Sequence, residues 1–297
     1  MTQIKTSFLR KATRQKAKIR LGLSAVAGGG KTFSALLIAK GLANGDLSKV
    51  AVIDTENSSA DLYSHLGNYN VLTMQAPFSP ESFISAIKEC EDAGMQVIII
   101  DSITHEWEGK GGCLEIHSSM TGNSYTNWSS VTPRHAAFVN AILQSKCHVI
   151  TTVRRKQDYE MNKNDQGKTT VAKVGLKEIT REGFEYELTV NLELDIKHNA
   201  TSSKDRTGLF MGQAPFIPSE ETGKKILEWC EIGTDIIKQP SIKDKVISKM
   251  NLAADLKELS GIYGSLADDL KRDSEIIKLK DELKIKFTNK TTTPIQA

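Results

Sequence analysis

One stretch of eight residues, Ala25-Val26-Ala27-Gly28-Gly29-Gly30-Lys31-Thr32, constrains this chain more than any other. Residues 18–24 before it alternate and then turn apolar, as an incoming strand does. Residues 31–42 after it place Phe33, Leu36, Leu37, Ala39 and Leu42 at helical spacing. A strand, a glycine-rich turn and a helix in that order match the P-loop pattern G-x-x-x-x-G-K-[ST], except that Ala25 stands where the pattern has glycine. The chemistry behind the pattern is specific. Glycines permit the backbone angles that converge N–H groups on phosphate oxygens, and the helix N-terminus adds its free N–H groups and dipole. Lys31 would reach the β- and γ-phosphates and Thr32 would ligate Mg²⁺, so ATP and Mg²⁺ are the expected ligands of residues 25–32. The rival explanation is a glycine-rich turn with a chance lysine.

Strands and helices then alternate. Residues 50–54 and 97–101 are short apolar runs, each ending in an acid. Residues 61–66 suit a helix and 71–74 a strand. Ser79 and Pro80 suit the N-cap and first position of a helix running to about Glu91, with Ser82 where a capping box would need Glu or Gln. Residues 102–131 read as a long Gly- and Ser-rich loop carrying Trp107, Tyr125 and Trp128. Pro133 is expected to start a helix reaching about Ser145, followed by a strand over 147–153. Residues 154–183 are polar and weakly periodic. Residues 186–196 alternate as a strand, Lys204 falls on a further strand or loop, and residues 219–231 look helical. This alternation predicts an α/β fold with a mostly parallel sheet covered on both faces. From about Lys238 the chain becomes rich in Lys, Asp, Glu, Leu and Ile at helical spacing. The expected organisation is a basic arm over 1–17, an ATPase core over 18–237, and a small helical C-terminal appendage with a polar tail over 238–297.

Two acids sit where strands end. Asp101 closes Val97-Ile98-Ile99-Ile100, and a carboxylate at the C-terminal end of a buried parallel strand points into the ligand crevice. That is the Walker B role, orienting Mg²⁺ together with Thr32. Asp54-Thr55-Glu56 closes the preceding strand. Glu56 could polarise an attacking water as a general base, or simply be a loop acid near the following helix.

Composition narrows the class. The chain has 297 residues, 39% hydrophobic and 25% charged, which suits a globular protein and excludes collagen, wholesale disorder and a disulfide scaffold. No apolar run approaches the roughly 20 residues of a membrane helix. The N-terminus lacks an apolar h-region, and Cys90, Cys113, Cys147 and Cys230 are dispersed, so free thiols in a reducing cytoplasm are expected. A zinc site from His105, Cys113 and His117 is poorly spaced, and unrelated loop residues are the better reading. Net charge is only +3, but residues 1–20 carry seven basic side chains and no acid, an arm that would contact phosphates or merely stay solvated.

With these residues in place, the chain resembles the RecA-like ATPases, and more closely phage-encoded ones of the single-strand annealing and recombination type. The similarity lies in residues 24–40 (SAVAGGGKTFSALLIAK), 50–56 (VAVIDTE), 100–108 (IDSITHEWE) and 147–156 (CHVITTVRRK). It implies a RecA-like P-loop NTPase core. The water-activating acid falls on Glu56, with Glu106 and Glu108 as rivals, and the Walker B acid on Asp101. It also implies that Lys204 and Arg206 in Lys204-Asp205-Arg206 would reach the γ-phosphate of a neighbouring subunit. Arg206 departs from the family's Lys-x-Lys, and two solvated surface cations are the alternative.

In such folds the segments after the Walker B strand and the next strand line a DNA channel. Here the second spans 154–183, with eight basic residues, among them Arg154, Arg155, Lys156, Lys163, Lys168 and Lys173, against five acids. A basic groove with stacking aromatics, for which Trp107, Tyr125, Trp128 and Tyr159 are available, suits single-stranded DNA. Arg154, just past a strand end, would alternatively sense the γ-phosphate. The expected function is an ATP-dependent single-stranded-DNA-binding recombination or annealing protein. It would form a homo-oligomeric filament or ring, with a single-strand-binding protein as companion and no membrane contact. The rivals are a replication-fork motor or helicase loader, and a nucleotide-gated binding module with negligible hydrolysis.

Overall fold

The computed structural model describes residues 11–163, 169–234 and 242–290. The chain divides into two compact units after Asp235. In the first, strand β1 (Arg20–Ala25) leads into helix α1 (Lys31–Leu42), and β2 (Val50–Asp54) follows. A run of 3₁₀ turns over Ser59–Leu66 connects to β3 (Asn70–Thr73), α2 (Pro80–Asp92) and β4 (Val97–Asp101). Next come α3 (Thr104–Glu108), α4 (Cys113–Ser119), α5 (Ser124–Gln144), β5 (His148–Lys163), β6 (Thr169–Glu178) and α6 (Phe184–Glu187). Strands β7 (Val190–Leu194) and β8 (Ala200–Asp205) and helix α7 (Glu220–Glu231) complete the unit.

The sheet runs β3-β2-β4-β5-β1-β7-β8. Every pairing from β3 to β7 is parallel, and β8 returns antiparallel at the edge. Successive side chains of a strand face opposite sides, so each apolar run feeds two cores. Val97 and Ile99 join Val50, Val52 and α1 on one face, while Ile98 and Ile100 join Ala51, Ile53, α2 and α5 on the other. Burial on both faces explains why these strands read as continuous apolar runs. The chain leaves β1 toward one side of the sheet and later returns to its other side with β7. That reversal opens the crevice at the C-terminal end of β1.

Three expectations need correction. Residues 102–131 are not a loop but hold α3, α4 and the first turns of α5. Pro133 lies inside α5 rather than starting it. An internal proline removes one helical hydrogen bond, and here the helix is held by packing on α2, with the Phe83 and Phe138 rings 5.3 Å apart. Residues 154–183 are largely an antiparallel hairpin, β5 with β6, in register from Arg155–Glu178 to Lys163–Thr169 with a bulge at Asp158/Tyr159. Arg154 is therefore inside β5, not past its end.

Part of the N-terminal arm is also docked. Arg14 lies over the Trp229 ring, 4.1 Å from its centroid, and donates to the Trp229 carbonyl, while Lys16 pairs with Glu231 at 2.9 Å. Residues 1–10 of the arm lie outside the described residues. Among the described residues no helix is long and apolar enough to cross a membrane.

The second unit contains α8 (Ile242–Asn251), α9 (Leu256–Gly264), α10 (Asp268–Lys271) and α11 (Ser274–Lys290) around Val246, Met250, Leu259, Ile276 and Leu283. The polar tail is expected from Thr288, but Thr288, Asn289 and Lys290 belong to α11. The expected boundary near Lys238 and residues 291–297 lie outside the described residues.

Candidate functional site: a P-loop beside two strand-end carboxylates

Residues 25–32 occupy the turn between β1 and α1. Gly28 and Gly30 have φ of 79° and 80°, which a side chain would strain. Ala25 is accommodated because residue 29 is glycine: a Cβ there would lie 2.6 Å from the Ala25 methyl. Helix α1 starts at Lys31 with no side-chain cap, so its first N–H groups remain for a ligand. The Lys31 ammonium folds back on the carbonyls of Ala25 and Val26, at 3.3 and 3.2 Å, and burial pushes its pKa down.

The neighbouring carboxylates are placed by the sheet. β4 and β2 lie in register with Asp101 opposite Asp54. Asp101 is buried, and it accepts a 2.5 Å hydrogen bond from Thr32 Oγ1 and another of 2.5 Å from Thr152 Oγ1 on β5. Burial pushes its pKa up, against those two bonds. Asp54 accepts from the backbone N–H groups of Glu56 and Ala60, at 2.6 and 2.8 Å, and so shapes the turn that presents Glu56. Glu56 accepts from Ser102 Oγ at 2.9 Å and from Arg154 Nε at 3.0 Å, and Arg154 Nη2 bonds its second oxygen. The backbone N–H of Arg154 in turn donates to Thr104 Oγ1 at 2.9 Å.

A cleft of about 430 Å³ runs along the P-loop. Its far end is lined by Phe33, Tyr63, Ile217 and Pro218, with the Phe33 and Tyr63 rings 5.8 Å apart. The donor set fits a magnesium nucleotide. A half-buried lysine that donates to two carbonyls suits an anion, and a hydroxyl–carboxylate pair of hard oxygens at Thr32 and Asp101 suits Mg²⁺. The apolar end suits a base. Sequence reasoning missed this apolar end, because Tyr63 and Ile217 are far apart in the chain and carry no motif.

The rival bases are elsewhere. Glu106 is fully buried against His135 and Cys113, and Glu108 lies 3.9 Å from Lys156. Lys204 and Arg206 do converge, both donating to the Tyr186 carbonyl, with Arg206 Nη2 at 3.2 Å. Neither bonds a P-loop residue among the described residues.

The basic residues of 154–183 are not equivalent. Arg154 turns to Glu56, and Arg155 is engaged by Glu193 at 2.6 Å and the Leu176 carbonyl at 2.8 Å. Lys156 keeps 63% of its side chain exposed. Lys163 and Lys173 lie on β5 and β6, and Lys168 lies outside the described residues. Of the aromatics, Trp107 stacks on Trp128 at 5.8 Å and Trp128 on His117 at 4.1 Å, while Tyr125 is 86% exposed. The zinc grouping of His105 and His117 with Cys113 does not assemble. His105 Nδ1 meets Thr55 Oγ1 at 2.7 Å, and His117 stacks on Trp128.

The family model described as an AAA domain, AAA_24, matches residues 17–225. No curated protein matches the chain.

Proposed function

The chain belongs to the AAA_24 family of AAA domains, a nucleotide-binding P-loop ATPase fold, and from that premise we propose that it is a RecA-like ATPase that binds single-stranded DNA in recombination or strand annealing. One observation carries the proposal: strand β5 holds Arg154 on Glu56 and continues directly into the hairpin bearing Lys156, Lys163 and Lys173. Strand β5 thus joins the nucleotide site to a hairpin whose sequence carries these lysines.

In this account the P-loop N–H groups and Lys31 bind the phosphates of ATP, and Thr32 and Asp101 hold Mg²⁺, which supplies charge neutralisation when bound. Phe33, Tyr63, Ile217 and Pro218 receive the base. Glu56 orients and deprotonates water once Arg154 leaves it for the γ-phosphate, a competing anion of greater charge. Lys204 and Arg206 complete the site of a neighbouring copy, so that hydrolysis depends on a filament or ring. Movement of Arg154 along β5 shifts the hairpin and so couples DNA contact to nucleotide state.

Fluorescence anisotropy of a labelled single-stranded oligonucleotide tests this. Binding should require ATP and Mg²⁺, weaken with salt as phosphate contacts do, and weaken further in a Lys156→Ala, Lys163→Ala, Lys173→Ala variant. Binding that ignores both nucleotide and the triple substitution contradicts it.

A further inference from the structure

Outside the nucleotide site, the described residues place three potential metal ligands of different chemistry together. They are Glu106 on α3, Cys113 at the start of α4 and His135 on α5, and their donor atoms all lie within 4.8 Å of one another. Glu106 and Cys113 are fully buried and His135 nearly so. Cys113 Sγ donates to Glu106 Oε1 at 3.1 Å, and His135 Nδ1 lies 3.1 and 3.0 Å from the two Glu106 oxygens.

We propose that Glu106, Cys113 and His135 form a binding site for a zinc-class divalent metal ion, distinct from the Thr32–Asp101 pair. Soft thiolate, imidazole and carboxylate together are the donor set such ions select over Mg²⁺. Donors at zinc bonding distances of about 2.0–2.3 Å sit roughly 3.3–3.8 Å apart around a tetrahedral ion. The 3.0–3.1 Å contacts to Glu106 are shorter by a few tenths of an ångström, so the side chains would open slightly to admit an ion.

Charge supplies the second argument. Glu106 has no lysine or arginine at hydrogen-bond distance among the described residues, so its buried charge rests on a histidine and a thiol. A divalent ion with one carboxylate, one thiolate and one neutral imidazole is net neutral, which suits a site removed from water. Without metal, Cys113 is a thiol that donates to Glu106 Oε1. Binding therefore forms a metal–sulfur bond and releases the thiol proton to solvent.

The surroundings hold the ligands in place. Gly112 lets the chain turn back on α3: a Cβ there would sit 2.7 Å from the carbonyls of both His105 and Glu106. Trp107 packs edge-to-face with the His135 ring, their centroids 5.5 Å apart. His135 also borders a surface groove, which gives an ion a path in. Three protein ligands leave a fourth position for water. The ion would tie α3, α4 and α5 together just beyond Asp101.

Cobalt substitution tests the site. The full-length protein, produced without a histidine tag and stripped with chelator, is titrated with Co²⁺ and followed by visible and near-ultraviolet absorption. The expected result is one equivalent bound, with tetrahedral d–d absorption, a thiolate charge-transfer band, proton release, and displacement by Zn²⁺. Cys113→Ser should abolish the thiolate band and weaken cobalt binding by about tenfold or more, since even outer-shell losses cost that much. His135→Gln and Glu106→Gln should weaken it similarly, whereas Cys147→Ser should leave the band intact. No thiolate band in the wild-type protein overturns the proposal whatever the variants do. So does a band that survives Cys113→Ser in a protein whose circular dichroism is native.

Discussion

Arg154 closes a two-pronged ion pair on Glu56, with Nε 3.0 Å from Oε1 and Nη2 on the other oxygen, across 98 residues of sequence. The two come together because β2 and β5 flank β4, with Asp54 in register with Asp101 and Thr151 with Ile100, so that Glu56 and Arg154 lie at a similar level of the sheet. Glu56 is thus held by this cation and by Ser102. A water-activating role for Glu56 requires that Arg154 be drawn off it.

Glu56→Gln should therefore leave ATP binding close to wild type and lower the hydrolysis rate by roughly 10²–10⁴, the range for loss of a general base. Arg154→Ala should lower affinity for ATP relative to ADP by about tenfold, the loss of one charge-assisted contact to the γ-phosphate. Fluorescent-nucleotide titration and a steady-state phosphate assay measure both. Unchanged turnover in Glu56→Gln would remove Glu56 from the mechanism.

Lys31→Ala should cost at least about 10²-fold in turnover, comparable to deleting one preorganised donor at a developing anion. Its present partners are two backbone carbonyls, so thermal unfolding should change little. A variant that hydrolyses ATP at the wild-type rate would rule out the P-loop as the phosphate site.

Lys204→Ala and Lys31→Ala should each be inactive alone and regain activity when mixed. In a mixed assembly one subunit supplies an intact P-loop and its neighbour the intact Lys204 and Arg206. Rescue is read as phosphate release against mixing ratio. Its absence, where mixed assemblies are shown to form, would confine those cations to their observed contact with Tyr186.

Stability should fall with acid because of His148. Its Nε2 lies 3.2 Å from the Lys18 ammonium and its Nδ1 accepts from the Ile19 N–H at 3.2 Å. Both neighbours are donors, so the second proton of an imidazolium ring has no acceptor. Burial first, and then Lys18 and Arg20, lower the pKa to about 3 from an ordinary 6.5. The unfolded chain then binds the extra proton, so this contribution is full above 6.5 and is lost progressively as pH falls toward 3. Denaturant midpoints between pH 7 and pH 4 should fall less steeply in His148→Asn, whose side-chain oxygen can replace Nδ1.

Much of this was legible before any coordinates. The P-loop, the strand-end acids Asp101 and Glu56, and the alternation that implies a parallel sheet are local patterns, and each lies where its pattern puts it. What stayed hidden depends on tertiary partners. The turns of α5 before Pro133 are rich in Ser and Thr, and their helical state rests on contacts such as Trp128 with Trp107 of α3 and His117 of α4. The β5–β6 hairpin has no apolar alternation to reveal it, because a polar hairpin pairs through its backbone rather than a core. The grouping of Cys113 with Glu106 and His135 carries no sequence signal, because His135 comes near only once α5 folds over α3 and α4.

The central claim is that a β5-linked basic hairpin couples DNA to hydrolysis, and ATP turnover with and without single-stranded DNA across a salt series tests it most directly. The account expects slow hydrolysis alone, strong stimulation by DNA at low salt, and loss of that stimulation as salt rises. Hydrolysis indifferent to DNA at every salt concentration would contradict it, leaving a P-loop ATPase directed at something other than DNA.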